Sequence, residues 1–422
     1  MPIAVVGMLD EREEALSVIR DRIEQRGHKA MLMDISIGTG AIVPSLKADI
    51  GYGELSELGG GPSAGVAGML MDRREEAISI MAKGLTKKIS ALHKSGVLQG
   101  IIAISGMTGA LISLPAMKAA PFGLPKLLIS SAVAIPIHAE LFAEYYAIKD
   151  ITVMHAVVDT VGMNSLVLRL VLNGADAISG MVEGSGTAGW EQKPSIAITE
   201  FGFCDKGAHY IREHLQKEYD IVSFHATGLG DRAAMELVPQ GLFQAFIDLV
   251  PGAFSEYLFG GNRGTCGPDR LDIASELPIP YILCPGGFDI ISCGPIGRKD
   301  NDDTLWVSRK LTERKLYVQE HPRVQARMSA EEMEYIASAA AEKLNRYSHK
   351  ARVKIIIPLK GFSSLSVEGG PLYDPASDEA FTVTLKKCID PEIEIIEVDS
   401  DINSRLFAGV VAETLSQALK VE

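Results

Sequence analysis

Short apolar runs, each closed by a glycine or a polar turn and followed by a helical pattern, recur along the chain and constrain its fold more than any other feature. Residues 3–6 end at Gly7 before a helical stretch at 11–26. Residues 30–34 end at Asp34 before a glycine-rich segment. Residues 101–104 lead into Ser105-Gly106-Met107-Thr108-Gly109, residues 126–129 into Ser130-Ser131, and residues 151–158 reach Asp159. The rhythm restarts at Ser195, with strand-like runs at 196–199, 221–224, 245–250, 281–284, 315–318, 354–358 and 392–398. Strand, loop and helix in alternation predict α/β architecture with parallel, doubly wound sheets. The 422 residues suit two or three domains at roughly 100–200 residues each. The expected boundary lies in the Gly, Ser, Thr and Lys stretch at 184–194 around Trp190, giving domains 1–194 and 195–422.

Charge narrows the function classes. With 54 acidic and 41 basic side chains the net charge is -13, which argues against a nucleic-acid partner and against an anionic membrane surface. A local anion site survives such a charge, because backbone N–H groups bind phosphate whatever the global balance. The five cysteines form no C-x-x-C pair and read as reduced thiols. No signal-like start or long uncharged apolar run is seen, so a cytoplasmic location is expected. The glycine-rich segment at 38–68 is long for a connection and reads as a binding loop, a lid or disorder.

Ligands of open parallel sheets bind beyond the carboxyl ends of the strands, so the loops after each run are the places to search. In the first half these hold Gly7, Asp34, Gly106, Thr108, Gly109, Ser130, Ser131 and Asp159. Glycines allow close backbone approach, and hydroxyls with free helix-start N–H groups suit a small anionic ligand. The second half carries side chains fit for chemistry: His225 with Thr227, Gly228 and Arg232, then Asp269 and Arg270, Asp289, His321 and Arg327. His225, Asp289 and His321 are acid–base candidates; Thr227, Gly228, Arg232, Asp269, Arg270 and Arg327 are substrate-binding candidates. On a parallel sheet they would share one edge. No metal site is expected: His209 and His214 have the wrong spacing, and Cys284 and Cys293 lack a second pair. Glu11-Arg12-Glu13-Glu14 reads as a solvated helix face.

Several of these segments together resemble a known family. They are Ile104-Ser105-Gly106-Met107-Thr108-Gly109, Phe224-His225-Ala226-Thr227-Gly228, Gly267-Pro268-Asp269-Arg270-Leu271 and Gly369-Gly370-Pro371-Leu372-Tyr373-Asp374. Their order is similar to that of an uncharacterised bacterial and fungal family whose plant representative is the N-terminal domain of a tomato mosaic virus resistance protein. The resemblance implies two Rossmann-like domains, ATP as cofactor and a tendency to form a homodimer; Mg²⁺ beside the ATP belongs to the nucleotide-binding reading. In plants a TIM-barrel domain is fused to this region, which implies a separate TIM-barrel partner here. Where the family commonly has a Gly-Gly-Arg sequence after the His-Ala-Thr-Gly turn, this chain has Gly230-Asp231-Arg232, and Asp231 is expected to repel phosphate or hold a metal.

Three functions therefore stand open. The first is a nucleotide-binding protein that uses the first-half loops. The second is a metabolic enzyme acting on a small oxyacid or acyl substrate through His225 or His321. The third is a non-enzymatic interaction protein.

Overall fold

Strands whose side chains are apolar on both faces form the spine of each half, as parallel strands flanked by helices require. The computed structural model describes residues 2–185 and 193–420, so Trp190 and most of the expected boundary stretch lie outside the described residues. The chain separates into two compact units, Met1–Trp190 and Glu191–Glu422.

In the first unit the elements alternate without exception among the strands: β1 (Pro2–Gly7), α1 (Leu9–Gln25), β2 (Lys29–Asp34), α2 (Tyr52–Leu58), α3 (Arg74–Lys94), β3 (Gly100–Ser105), α4 (Met107–Ala119), β4 (Lys126–Ser130), α5 (Pro136–Tyr146), β5 (Thr152–His155) and α6 (Ser165–Gly184). The sheet order is β2-β1-β3-β4-β5, all parallel. One face is sealed by Leu16, Ile19 and Ile23 of α1 with Val167, Val171 and Ile178 of α6. The other is sealed by Met81, Leu85 and Ile89 of α3 with Ile112 and Leu114 of α4. Each such side chain contributes about 1.5–3 kcal/mol when fully buried. Helix α6 is long and apolar enough to cross a membrane by length and composition. Its apolar stripe nonetheless packs on this sheet, and its Asp176 pairs with Arg22 of α1 and with Arg26 just past the end of α1, so it serves as a core helix.

The second unit runs β6 (Ser195–Glu200), α7 (Asp205–Leu215), β7 (Asp220–His225), α8 (Leu229–Leu237), β8 (Ala245–Asp248), α9 (Gly252–Phe259), β9 (Tyr281–Leu283), β10 (Ile290–Ser292), α10 (Thr304–Ser308), β11 (Leu316–Glu320), β12 (Arg323–Arg327), α11 (Ala330–Leu344), β13 (Val353–Pro358), α12 (Pro375–Cys388), β14 (Glu394–Val398) and α13 (Arg405–Lys420). Six strands make a parallel sheet in the order β14-β13-β9-β8-β6-β7. Both units are therefore α/β with mostly parallel, Rossmann-like sheets.

One expectation fails here. The run at 315–318 does not continue the parallel series. Strand β11 pairs antiparallel with β12, and β12 with β10, in a separate three-stranded sheet. Only His321-Pro322 joins β11 to β12, whereas a parallel crossover needs about a dozen residues or more. His321 is thus a hairpin-turn residue and does not stand on the rim of the parallel sheet.

Candidate functional site

The strand order of the first unit reverses between β1 and β3, and this opens a crevice beyond their carboxyl ends. A cleft of about 420 Å³ lies there, lined among others by Asp10, Arg12, Gly40, Gly106, Thr108 and Asp159. Gly106 is the N-cap of α4 and supplies no side-chain cap, so the first-turn N–H groups face the crevice without the usual partner. A Cβ on Gly106 would sit 3.2 Å from the Arg12 guanidinium, which places that cation directly against the helix start. Gly109 also lines the cleft, but its lack of a side chain answers to packing: a Cβ there would meet Ser105 at 2.6 Å.

Arg12 is the residue that the sequence concealed. Helix α1 leaves helical geometry at this position (φ -133°, ψ 31°), which turns the side chain inward to 5% exposure. Its Nε donates to Thr160 Oγ1 at 2.8 Å, one terminal nitrogen pairs with Glu11, and the other lies 3.8 Å from Asp159. A cation in the first turn of a helix opposes the macrodipole, and that was the one signal that something other than solvent holds it.

The glycine-rich segment forms the neighbouring wall. It carries α2 and a short 3-10 turn, Ala67–Met69, and is stitched to α1: Ile42 N–H donates to the Asp10 carbonyl and Gly40 N–H to Asp10 Oδ2, both at 3.0 Å. A second cleft of about 290 Å³ shares Asp10, Gly40 and Ile42 with the first and continues along Asp34, Tyr52 and Val66. Asp34 accepts from the N–H groups of Leu9 and Ser36 at 3.2 and 2.9 Å. Burial raises its pKa, opposed by these hydrogen bonds. Gly7 is packed under α1, where a Cβ would meet Leu16 at 2.7 Å. Ser130 is buried and caps its own turn by accepting from Ala132 N–H at 3.1 Å. Neither Gly7, Ser130 nor Ser131 lines these two clefts.

In the second unit a cleft of about 460 Å³ is lined by Phe201, Asp205, His225, Tyr317, Arg323 and Gln325, among others. The exposed His225 has Nδ1 3.3 Å from Thr227 Oγ1, and its ring tilts over Phe201 at 5.3 Å. Tyr317 and Arg323 reach this cleft from the small antiparallel sheet, whose existence the sequence did not suggest.

Most of the other charged candidates turn inward. Arg270 is fully buried: Nε donates to Asp231 and both terminal nitrogens to Asp248, each at 2.7 Å. Asp248 also accepts from Thr199 Oγ1 at 2.7 Å and Tyr281 Oη at 2.9 Å. Asp231 accepts from the N–H of Gly228, a glycine at φ +91°, at 2.8 Å. Its carboxylate is therefore spent on Arg270 and a turn, and neither faces phosphate nor holds a metal. Asp289 is fully buried and accepts from Ser363 Oγ at 2.7 Å, with Arg327 3.5 Å away. Arg327 in turn donates to Asp378 at 2.5 Å and to the Asp374 carbonyl at 3.0 Å. Burial pushes the Asp378 carboxyl up to about 7. Asp269 is exposed, 3.4 Å from Lys343, and Arg232 is half-buried on α8. His321 is exposed, and its carbonyl accepts from Ile296 N–H at 3.1 Å. His225, Asp289 and His321 do not line a common cleft. No group of three or more His, Cys, Asp or Glu among the described residues could hold a metal ion. All five cysteines are free thiols.

Comparison with known proteins adds the lineage. The N-terminal domain profile of the Uncharacterised protein family (UPF0261) matches residues 1–187 and the C-terminal domain profile residues 193–419. A UPF0261 protein of Clostridium tetani is 31% identical over 98% of each chain. The tomato ToMV resistance protein Tm-1 is 28% identical over 82% of this chain, which spans 45% of the tomato protein. Among solved structures, UDP-N-acetylglucosamine 2-epimerase from Rickettsia bellii covers 67% of the chain at 9% identity and a TM-score of 0.22, too distant to carry an argument.

Proposed function

The chain belongs to the uncharacterised protein family UPF0261 over both halves, and from that premise we propose that it binds a nucleotide, ATP with Mg²⁺, in the first-unit crevice. The observation that carries this reading is the buried Arg12 guanidinium set against the uncapped start of α4 at a topological switch point. Helix-start N–H groups and a guanidinium both select phosphate, the first by dipole and the second by its planar donor fork.

Charge decides the form of the ligand. Asp10, Glu11 and Asp159 line the same cleft as Arg12, so a bare polyphosphate meets more negative than positive charge. Unit charges 4 Å apart interact by about 1 kcal/mol in water and about 4 kcal/mol at an effective dielectric constant of 20. A divalent cation bound with the phosphate would offset that repulsion, and Glu11 and Asp159 are the cleft carboxylates that would face it. Isothermal titration tests this directly. MgATP gives a saturable heat that shrinks in EDTA; no heat with ATP or ADP, with or without Mg²⁺, removes the reading.

A second reading is an enzyme working in the second unit, because His225 shares its cleft with Tyr317 and Arg323. There His225 is the acid–base group and Arg323 the clamp for a small oxyacid or acyl substrate. If His225→Ala leaves turnover of the substrate unchanged, this assignment is wrong.

A further inference from the structure

The two clefts of the first unit meet at Asp10, Gly40 and Ile42. Asp10 lines both, is 8% exposed, and has its Oδ2 committed to Gly40 N–H. Its Oδ1 is buried and has no hydrogen-bond partner. A buried acceptor left without a donor is costly, and a ligand that supplies the missing donor accounts for its persistence at the edge of two clefts. On one side of Asp10 lie Arg12, Gly106 and Thr108, the phosphate-selecting groups. On the other lies an apolar trough of Ile37, Ile42, Val43, Pro44, Tyr52 and Val66, built mostly by the glycine-rich segment. Val43 stands 93% exposed on that wall, an apolar side chain left in water beside an apolar groove.

We propose that Asp10 Oδ1 accepts a hydrogen bond from a ligand hydroxyl that lies between a phosphate at Arg12 and a planar ring in the trough, so that the ligand is recognised as a nucleoside phosphate and not as a phosphate alone. This rests on the phosphate placement proposed above. The order of the parts is the argument: anion-selecting groups, then an unmatched acceptor, then an apolar groove, in two clefts that share Asp10, Gly40 and Ile42. A sugar is the part of a nucleotide that offers hydroxyl donors between its charged and its apolar ends. Asp34, the carboxylate at the end of β2 where a ribose contact is usual, has its Oδ1 taken by Leu9 and Ser36 and lines the trough but not the phosphate cleft, whereas Asp10 lines both and holds a buried, unmatched oxygen between them. A metal ion is a poorer occupant, since no set of three ligating side chains is gathered among the described residues.

Isothermal titration of the intact chain with MgATP, the Mg²⁺ complex of 2′,3′-dideoxy-ATP, and magnesium triphosphate separates the pieces. In the unaltered protein the dideoxy compound should bind about tenfold or more weakly than ATP, the usual worth of a hydrogen bond to a charged group. That gap should close in Asp10→Ala. Val43→Glu, a change at a solvent-exposed position, should weaken ATP several-fold and leave triphosphate unaffected. Equal affinities for ATP and dideoxy-ATP in the unaltered protein overturn the role of Asp10 while the phosphate site stands. Equal affinities for ATP and triphosphate overturn the ring trough. If none of the three binds, the phosphate reading falls along with this one.

Discussion

The two units share an architecture and spend their polar side chains in opposite ways. At the strand ends of the first, Arg12 and Asp10 face an open crevice, and Asp10 keeps one oxygen unmatched. At the strand ends of the second, Arg270 is saturated by Asp231 and Asp248, while Asp289 and Arg327 are buried among Ser363 and Asp378, where Asp289 Oδ1 and the Arg327 Nε and Nη1 stay unmatched away from the cleft of His225. The polar loop residues of an α/β rim are thus of two kinds, and residue type does not separate them. Partnership does. A cation whose donors are all used inside is architecture, whereas one held at the edge of a cleft beside an uncapped helix is available to a ligand.

The largest effect that tests this contrast is Arg270→Ala. It leaves two buried carboxylates without a counter-ion, and chemical denaturation should show a loss of about 3–5 kcal/mol. Full stability with loss of a ligand response would transfer Arg270 to the other class. Next in size is the pH dependence of Asp378. Its folded pKa is raised to about 7, so the folded state holds the proton more tightly than the unfolded chain does. The associated stability is complete below the ordinary carboxylate range and is lost as pH rises towards 7. At about 1.4 kcal/mol per unit, Asp378→Asn should flatten a slope of the order of 2–4 kcal/mol between pH 4 and 7, measured by urea titration. Parallel slopes in the two proteins would show that the carboxyl is ordinary.

Arg12→Ala should weaken MgATP by about 1.5–3 kcal/mol, roughly ten- to a hundredfold, as expected for a charge-assisted hydrogen bond. Unchanged affinity in calorimetry would mean that the guanidinium only braces Thr160. The smallest effect is expected from His321→Ala in its exposed hairpin, within about 0.5 kcal/mol of unaltered stability by thermal melting. A loss well beyond that would give the hairpin turn a structural part that its exposure does not suggest.

Much of the fold was legible because the central strands are apolar on both faces and end at glycine or hydroxyl residues; β3 and its Ser105-Gly106 turn show both. Strand β11 was misread because its apolar run looks like the others, although the two residues before Arg323 leave no room for a crossover. Gly106, Thr108 and Asp159 were found at the crevice because strand ends pointed to them. Arg12 was missed because Glu-Arg-Glu-Glu has the look of a wet helix face, and no proline or glycine marks the kink that turns it inward. The pairing of Arg270 was illegible for another reason. Its partners stand 22 and 39 residues away, and one sequence does not show which distant carboxylate a guanidinium will meet.

The Arg270 network has a consequence for how the second unit is made. Its members are drawn from Thr199, Asp231, Asp248, Arg270 and Tyr281, in that order of synthesis. A nascent chain that has reached Asp248 carries both carboxylates and no guanidinium to match them. Desolvating them without that guanidinium costs several kcal/mol per charge, which disfavours closing this part of the interior before Arg270 is present. The network that joins β8 to β9 is complete only once Arg270 and Tyr281 have both been made, so the centre of this sheet is matched in charge as a whole and not strand by strand.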